Sequence, residues 1–158
     1  MDIIVYNLKL KEGEESTFTV DIDRQDSIET SCGKTHPFWT HLNYNQCSNC
    51  PLQMSINKHC PAALDLEEIA EKFGNIISTE RADVWVQTKN RTFFKNCDVQ
   101  EALKSIFGLI MASGNCPILS RLKPLAYFHL PFADLEETLH RLVGTYLIKQ
   151  RLIYSEGK

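Results

Sequence analysis

Residues 2–23 read "DIIVYNLKLKEGEESTFTVDID", and this stretch decides the fold. Two β-rich runs, "DIIVYNLKL" (2–10) and "STFTVDID" (16–23), lie on either side of "KEGEE", which holds Gly13. β-branched and aromatic residues crowd both runs, and a glycine among charges separates them, which is a hairpin signal. The pattern returns further on. "ADVWVQT" (82–88) and "RTFFKN" (91–96) meet near Lys89-Asn90 and form a second hairpin.

Outward from the hairpins the period changes from two to 3.6. Leu64, Leu66, Ile69, Ala70 and Phe73 recur at helical spacing after Cys60, and Gly74 is a C-terminal cap. Asp98 and Glu101 form an Asp-x-x-Glu capping box that opens "VQEALKSIFGLIMAS" (99–113). That helix is apolar on most sides and is expected to be the buried one. "PILSRLKPLAYF" (117–128) is a short helix or irregular segment interrupted by Pro124. In the last run, Leu135, Leu139, Leu142, Val143, Tyr146 and Leu147 fall on one stripe of an amphipathic helix. Residues 24–36 are polar and read as a loop, and "PFWTHLNYN" (37–45) reads as a short strand with Phe38, Thr40, Leu42 and Tyr44 on one face. No internal repeat, low-complexity tract or linker interrupts the chain. The expected fold is α+β: two β-hairpins in one antiparallel sheet, about four helices packed on one face, and a single domain over residues 1–158.

A chain of 158 residues buries roughly 68–70% of its unfolded surface and can fold without staples. Seventeen basic and twenty acidic residues give a net charge of -3, which speaks against a broad nucleic-acid footprint or a polybasic membrane patch. The N-terminus lacks the basic region and cleavage site of a secretory signal. The longest apolar run, "IFGLIMA" (106–112), is too short to span a bilayer. A cytoplasmic protein with neither a nucleic-acid nor a membrane partner is expected. In that reducing setting six cysteines point toward metal binding or thiol chemistry rather than disulfides.

Three cysteines fall in "QCSNCPLQMSINKHCPAAL" (46–64), and three Cys-Pro pairs occur: Cys50-Pro51, Cys60-Pro61 and Cys116-Pro117. Proline favours the first helical position, so the preceding cysteine takes the N-cap. The free N–H groups and positive dipole end of a helix stabilise a thiolate there. Cys60 precedes a clear helix, and the other two pairs are expected to open shorter helical turns. Cys47-x-x-Cys50 is a common local pair in both zinc and iron–sulfur sites. Cys60 lies ten residues beyond it and Cys116 arrives by folding, so that the Cys-rich segment 46–61 is completed by Cys116. The metal site is expected on Cys47, Cys50, Cys60 and Cys116. Zinc, which needs only a closed tetrahedron, is preferred over an iron–sulfur cluster. The alternative is that these are unligated thiols packed as small hydrophobes. Cys32 and Cys97 have no motif around them and read as incidental.

The motifs "QCSNCPL", "HCPAALDL", "GNCPIL" and "FHLPFADLEETLHRLVGTYL" resemble an uncharacterised bacterial family, a domain of unknown function, over residues 37–150. The resemblance implies that Cys47, Cys50, Cys60 and Cys116 belong together, and that Cys32 and Cys97 fall outside the pattern. It brings no catalytic residues with it.

The histidines read mostly as structural. His59 abuts Cys60 as a partly exposed loop histidine or a substitute ligand. His129 reads as a satisfied core histidine or as the donor of a hydrogen bond to a metal-bound thiolate. His36 and His41 are ligands only if their segment folds over the site, and His140 is solvated. Glycine-rich phosphate loops and hydrolase or zincin motifs are absent. Both "DLEE" runs, 65–68 and 134–137, read as first-turn acids placed by the helix dipole. No catalytic residue is assigned, and an enzyme is not favoured. The expected function is a non-enzymatic binding or regulatory module with a structural zinc, whose partner is a protein or small ligand. The alternatives are an iron–sulfur redox or sensor protein and a thiol-dependent redox enzyme.

Overall fold

The structure, a computed structural model, describes residues 2–11, 13–24 and 35–157. Cys32 and most of the polar 24–36 stretch lie outside the described residues. Strands β1 (Ile3–Leu10) and β2 (Glu15–Asp21) form the first hairpin, and β3 (Arg81–Gln87) and β4 (Thr92–Asp98) the second. Helix α1 (Pro61–Phe73) follows the first hairpin, and α2 (Val99–Ser113) follows the second. After α2 come α3 (Lys123–Tyr127) and α4 (Leu135–Ser155). The sheet order is β2-β1-β3-β4, with every neighbouring pair antiparallel. Two hairpin–helix units thus meet along β1 and β3, and the fold is α+β as the sequence implied.

The pleat explains the core. Ile4, Tyr6, Leu8 and Leu10 point to one face of β1, and the register sets Tyr6 opposite Val86, Leu8 opposite Val84 and Leu10 opposite Ala82. Phe18 and Val20 extend this floor on the other side of β1. Helix α2 covers it with Val99, Ala102, Ile106 and Leu109, all at most 1% exposed. Removing one such side chain from water is worth about 1.5–3 kcal/mol. Helix α1 adds Ile69 and Phe73 to this core and also buries Leu64. On the opposite sheet face Trp85 meets Phe94 with ring centres 5.2 Å apart, and Phe94 is exposed. Gly13 turns the first hairpin with φ of 89°, a conformation that suits glycine.

Several local expectations are corrected. "PFWT" forms a 3₁₀ turn at Phe38–Thr40, not a strand. The Thr40 hydroxyl donates to Pro37 O at 2.7 Å and closes that turn, a local bond that competes with an extended chain. Asp98 does sit at the N-cap of α2, but the capping box does not form. Its carboxylate faces Arg81 at 3.2 Å, while Glu101 pairs with Lys95 at 2.5 Å. Pro124 lies in the first turn of α3 rather than interrupting a helix. Helix α4 forms where its period predicts, yet none of its residues is buried. No helix among the described residues is long and apolar enough to cross a membrane.

Candidate functional site

The Cys-Pro pairs divide. Cys60 is the N-cap of α1 with Pro61 as the first helical residue, as expected. Its N–H donates to Thr40 O at 2.8 Å, which ties the Cys-rich segment to the 3₁₀ turn. Its thiol makes no capping hydrogen bond. Cys116 precedes a short helical stretch: Ser120 N–H donates to Cys116 O at 2.9 Å, ahead of the 3₁₀ turn Leu119–Leu122. Cys50 differs, because residues 51–53 are irregular. Its N–H instead donates to Cys47 O at 3.0 Å and closes the C-x-x-C turn. Cys47 is exposed, and Cys50, Cys60 and Cys116 are half-buried. Among the described residues, no three His, Cys, Asp or Glu side chains are placed to hold a metal ion. Cys97 is buried in the core at the end of β4, where burial pushes its thiol pKa up.

Beside Cys60 the histidines gather. His41 and His59 form an isolated antiparallel bridge, with ring centres 4.6 Å apart. His36 meets the His59 ring edge-on at 5.1 Å. His59 is buried rather than a partly exposed loop residue. Thr40 has already given its only hydroxyl proton to Pro37 O, so His59 Nδ1–H donates to Thr40 Oγ1 at 2.8 Å. His36 Nδ1 faces Glu67 at 2.7 Å, and both side chains are nearly buried. This knot of rings fastens the start of α1 to the segment before it.

The first "DLEE" run is corrected by position. With Pro61 opening the helix, Asp65 and Glu67 fall in the second turn, and no acid lies in the first. Counting from the proline would have revealed this. Asp65 pairs with Arg24 at 3.2 Å, and burial raises its carboxyl pKa against the opposing pull of Arg24. Arg24 in turn donates to Ser113 Oγ at 3.0 Å and to Ile110 O at 2.8 Å. Gly114 lies directly against the Asp65 carboxylate, so that a Cβ there would overlap it. This contact holds the segment leading to Cys116 against α1. The second "DLEE" run behaves as expected: Asp134 and Glu137 form the capping box of α4.

A groove of about 730 Å³ runs between α2 and α4. Leu109, Leu125 and Phe132 line it with apolar surface, and Lys104, Glu137 and Arg141 bring charge. Gly108 opens onto it, with nothing within 4 Å of the place where its Cβ would be. At the bottom is a chain of hydrogen bonds. Phe132 N–H donates to Ser105 Oγ at 3.1 Å, Ser105 Oγ lies 2.8 Å from the Tyr6 hydroxyl, and Tyr6 bonds His129 Nε2. Burial, with the nearby Arg141 charge second, lowers the His129 pKa to about 4. The imidazole is therefore neutral at pH 7, and Nε2 accepts the Tyr6 proton. Desolvation raises the Tyr6 pKa and keeps the phenol protonated. His129 is thus a satisfied histidine, half-buried at the groove rather than part of the core. Sequence reasoning missed this groove, since Tyr6 carries only the signature of a core strand residue.

The family model of a domain of unknown function, DUF6901, matches residues 4–158. No curated protein and no solved structure matches the chain.

Proposed function

We propose that this chain, which belongs to the DUF6901 family, is a non-enzymatic cytoplasmic module that binds a small amphipathic ligand in the groove between α2 and α4. The groove carries this reading. Its volume, about 730 Å³, is that of small-molecule sites, which combine apolar walls with a few fixed polar groups. Lys104 offers the ligand a cation. The neutral His129 and protonated Tyr6 already satisfy each other, so the bottom of the groove offers no poised acid or base. A fragment screen followed by thermal shift and NMR tests the reading. Hits should perturb Gly108, Leu125 and Phe132, and Gly108→Phe should abolish their binding by filling the groove. Hits that are indifferent to Gly108→Phe, or an absence of hits, would sink it.

A structural metal ion on Cys47, Cys50, Cys60 and Cys116, zinc by preference, is a separate part of the proposal. Its support is the closed C-x-x-C turn, Cys60 at a helix N-terminus and the Gly114–Asp65 contact that leads Cys116 back to α1. Binding would require these segments to draw together. Metal analysis of protein purified without oxygen should find one zinc per chain, lost in Cys60→Ser. A visible absorption band with bound iron would favour the cluster, and metal-free protein after zinc supplementation would remove the site.

A further inference from the structure

We infer that α4 is a dimerisation element whose leucine stripe pairs antiparallel with the same stripe of a second copy of this chain. The helix is turned the wrong way round for a monomer. Its half-buried positions are Thr138, Arg141, Gly144, Thr145 and Ile153, and of these Ile153 alone is a large apolar residue. Arg141 holds the helix to the body, donating to Leu125 O at 2.8 Å and to Phe128 O at 2.5 Å. The apolar side points away. Leu135 is 74% exposed, Leu139 50%, Leu142 39%, Val143 53%, Tyr146 59% and Leu147 59%. Helical stability in proteins comes mainly from packing an apolar face, and among the described residues nothing buries that face.

The charges beside the stripe identify the occupant. At about 100° per residue, Glu136 and Arg151 lie on the same flank, near opposite ends of the helix. Antiparallel pairing sets Glu136 against the partner's Arg151 and, by the two-fold axis, repeats the pair at the other end. A parallel two-fold would place that flank beside the opposite flank of the partner, with Glu136 and Arg151 at different ends of the pair, and would not bring them together. The helix dipoles also oppose favourably only in the antiparallel arrangement. The α2–α4 groove lies on the polar side of the helix and stays open in such a dimer.

Sedimentation equilibrium of the full chain over a range of concentrations provides the test. The expected mass is twice 18.1 kDa at micromolar concentration. Leu139→Glu with Leu142→Glu should give the single-chain mass, with the circular dichroism of the sheet unchanged. Glu136→Arg and Arg151→Glu should each weaken the dimer several-fold, and combining them should restore it. These exposed charge variants leave the fold intact and keep the proposal testable even if the double leucine variant misfolds. A single-chain mass at every concentration would overturn it, whether the stripe then proves to bind lipid vesicles or not. A dimer insensitive to the leucine variants would also overturn it. Charge variants that fail to weaken the dimer would overturn the antiparallel arrangement.

Discussion

Tyr6 links the sheet to the groove. Its ring packs in the core of β1 while its hydroxyl bridges Ser105 on α2 and His129 before α4. Tyr6→Phe keeps the ring and leaves two half-buried polar groups short of a partner. The expected cost is about 1–3 kcal/mol in urea unfolding with an unchanged m-value. His129 adds a pH dependence. Its pKa falls from 6.5 to about 4 on folding, so the unfolded chain binds the extra proton between these values. Stability is then full above pH 6.5 and declines as pH falls toward 4, by about 3 kcal/mol in all. His129→Gln retains an acceptor for Tyr6 and should flatten this slope in thermal scans from pH 7 to 4. An undiminished slope would assign the effect to another group. Little of this network was legible in the sequence. A strand pattern marks Tyr6 as buried but cannot say which helix its hydroxyl reaches. Cys60 at its N-cap was legible because Pro61 encodes the cap locally, whereas the stacking of His36, His41 and His59 depends on a turn closed by Thr40.

Among the elements, α2 carries two glycines with opposite demands. Gly114, just past its end, lies against the Asp65 carboxylate, so Gly114→Ala must push apart the Arg24–Asp65 pair. A loss of about 2 kcal/mol or more is expected in equilibrium unfolding. Gly108 sits mid-helix beside open space, and Gly108→Ala should stabilise by roughly 0.5–1 kcal/mol through helix propensity and unfolded-chain entropy. Opposite signs from two Gly→Ala changes would separate close approach from backbone freedom, and equal signs would contradict the packing described at Gly114. The elements themselves were read well because period and punctuation are local: α1 and α2 begin and end where the sequence placed them. The 3₁₀ turn at Phe38–Thr40 was misread because alternating apolar residues also suit a short strand. For α4 the period gives an apolar stripe but not the neighbour that covers it.

On the scale of the whole molecule, the core belongs to two hairpin–helix units, and α4 is an addition held by Arg141 and contacts with α3. A chain ending at Ala133 should therefore still fold. It keeps every buried residue of the sheet, α1 and α2, since α4 contributes none. It loses the Arg141 bonds to Leu125 O and Phe128 O, worth about 1.5–3 kcal/mol each as charge-assisted bonds where fully formed, and less for the part of the guanidinium that remains in water. The truncated protein should show the same sheet signal, one cooperative transition and a lower midpoint. Dimerisation through α4 adds a second signature. Association stabilises the native state by mass action, so the melting temperature of the full chain should rise with protein concentration, while that of the truncated chain should not. A truncated chain that fails to fold would make α4 part of the core despite its exposure. A melting temperature of the full chain that ignores concentration would mean the helix has no second copy to pack against. If both outcomes hold as expected, α4 is dispensable for folding within one chain, which it stabilises through Arg141, and it owes its apolar face to pairing between chains.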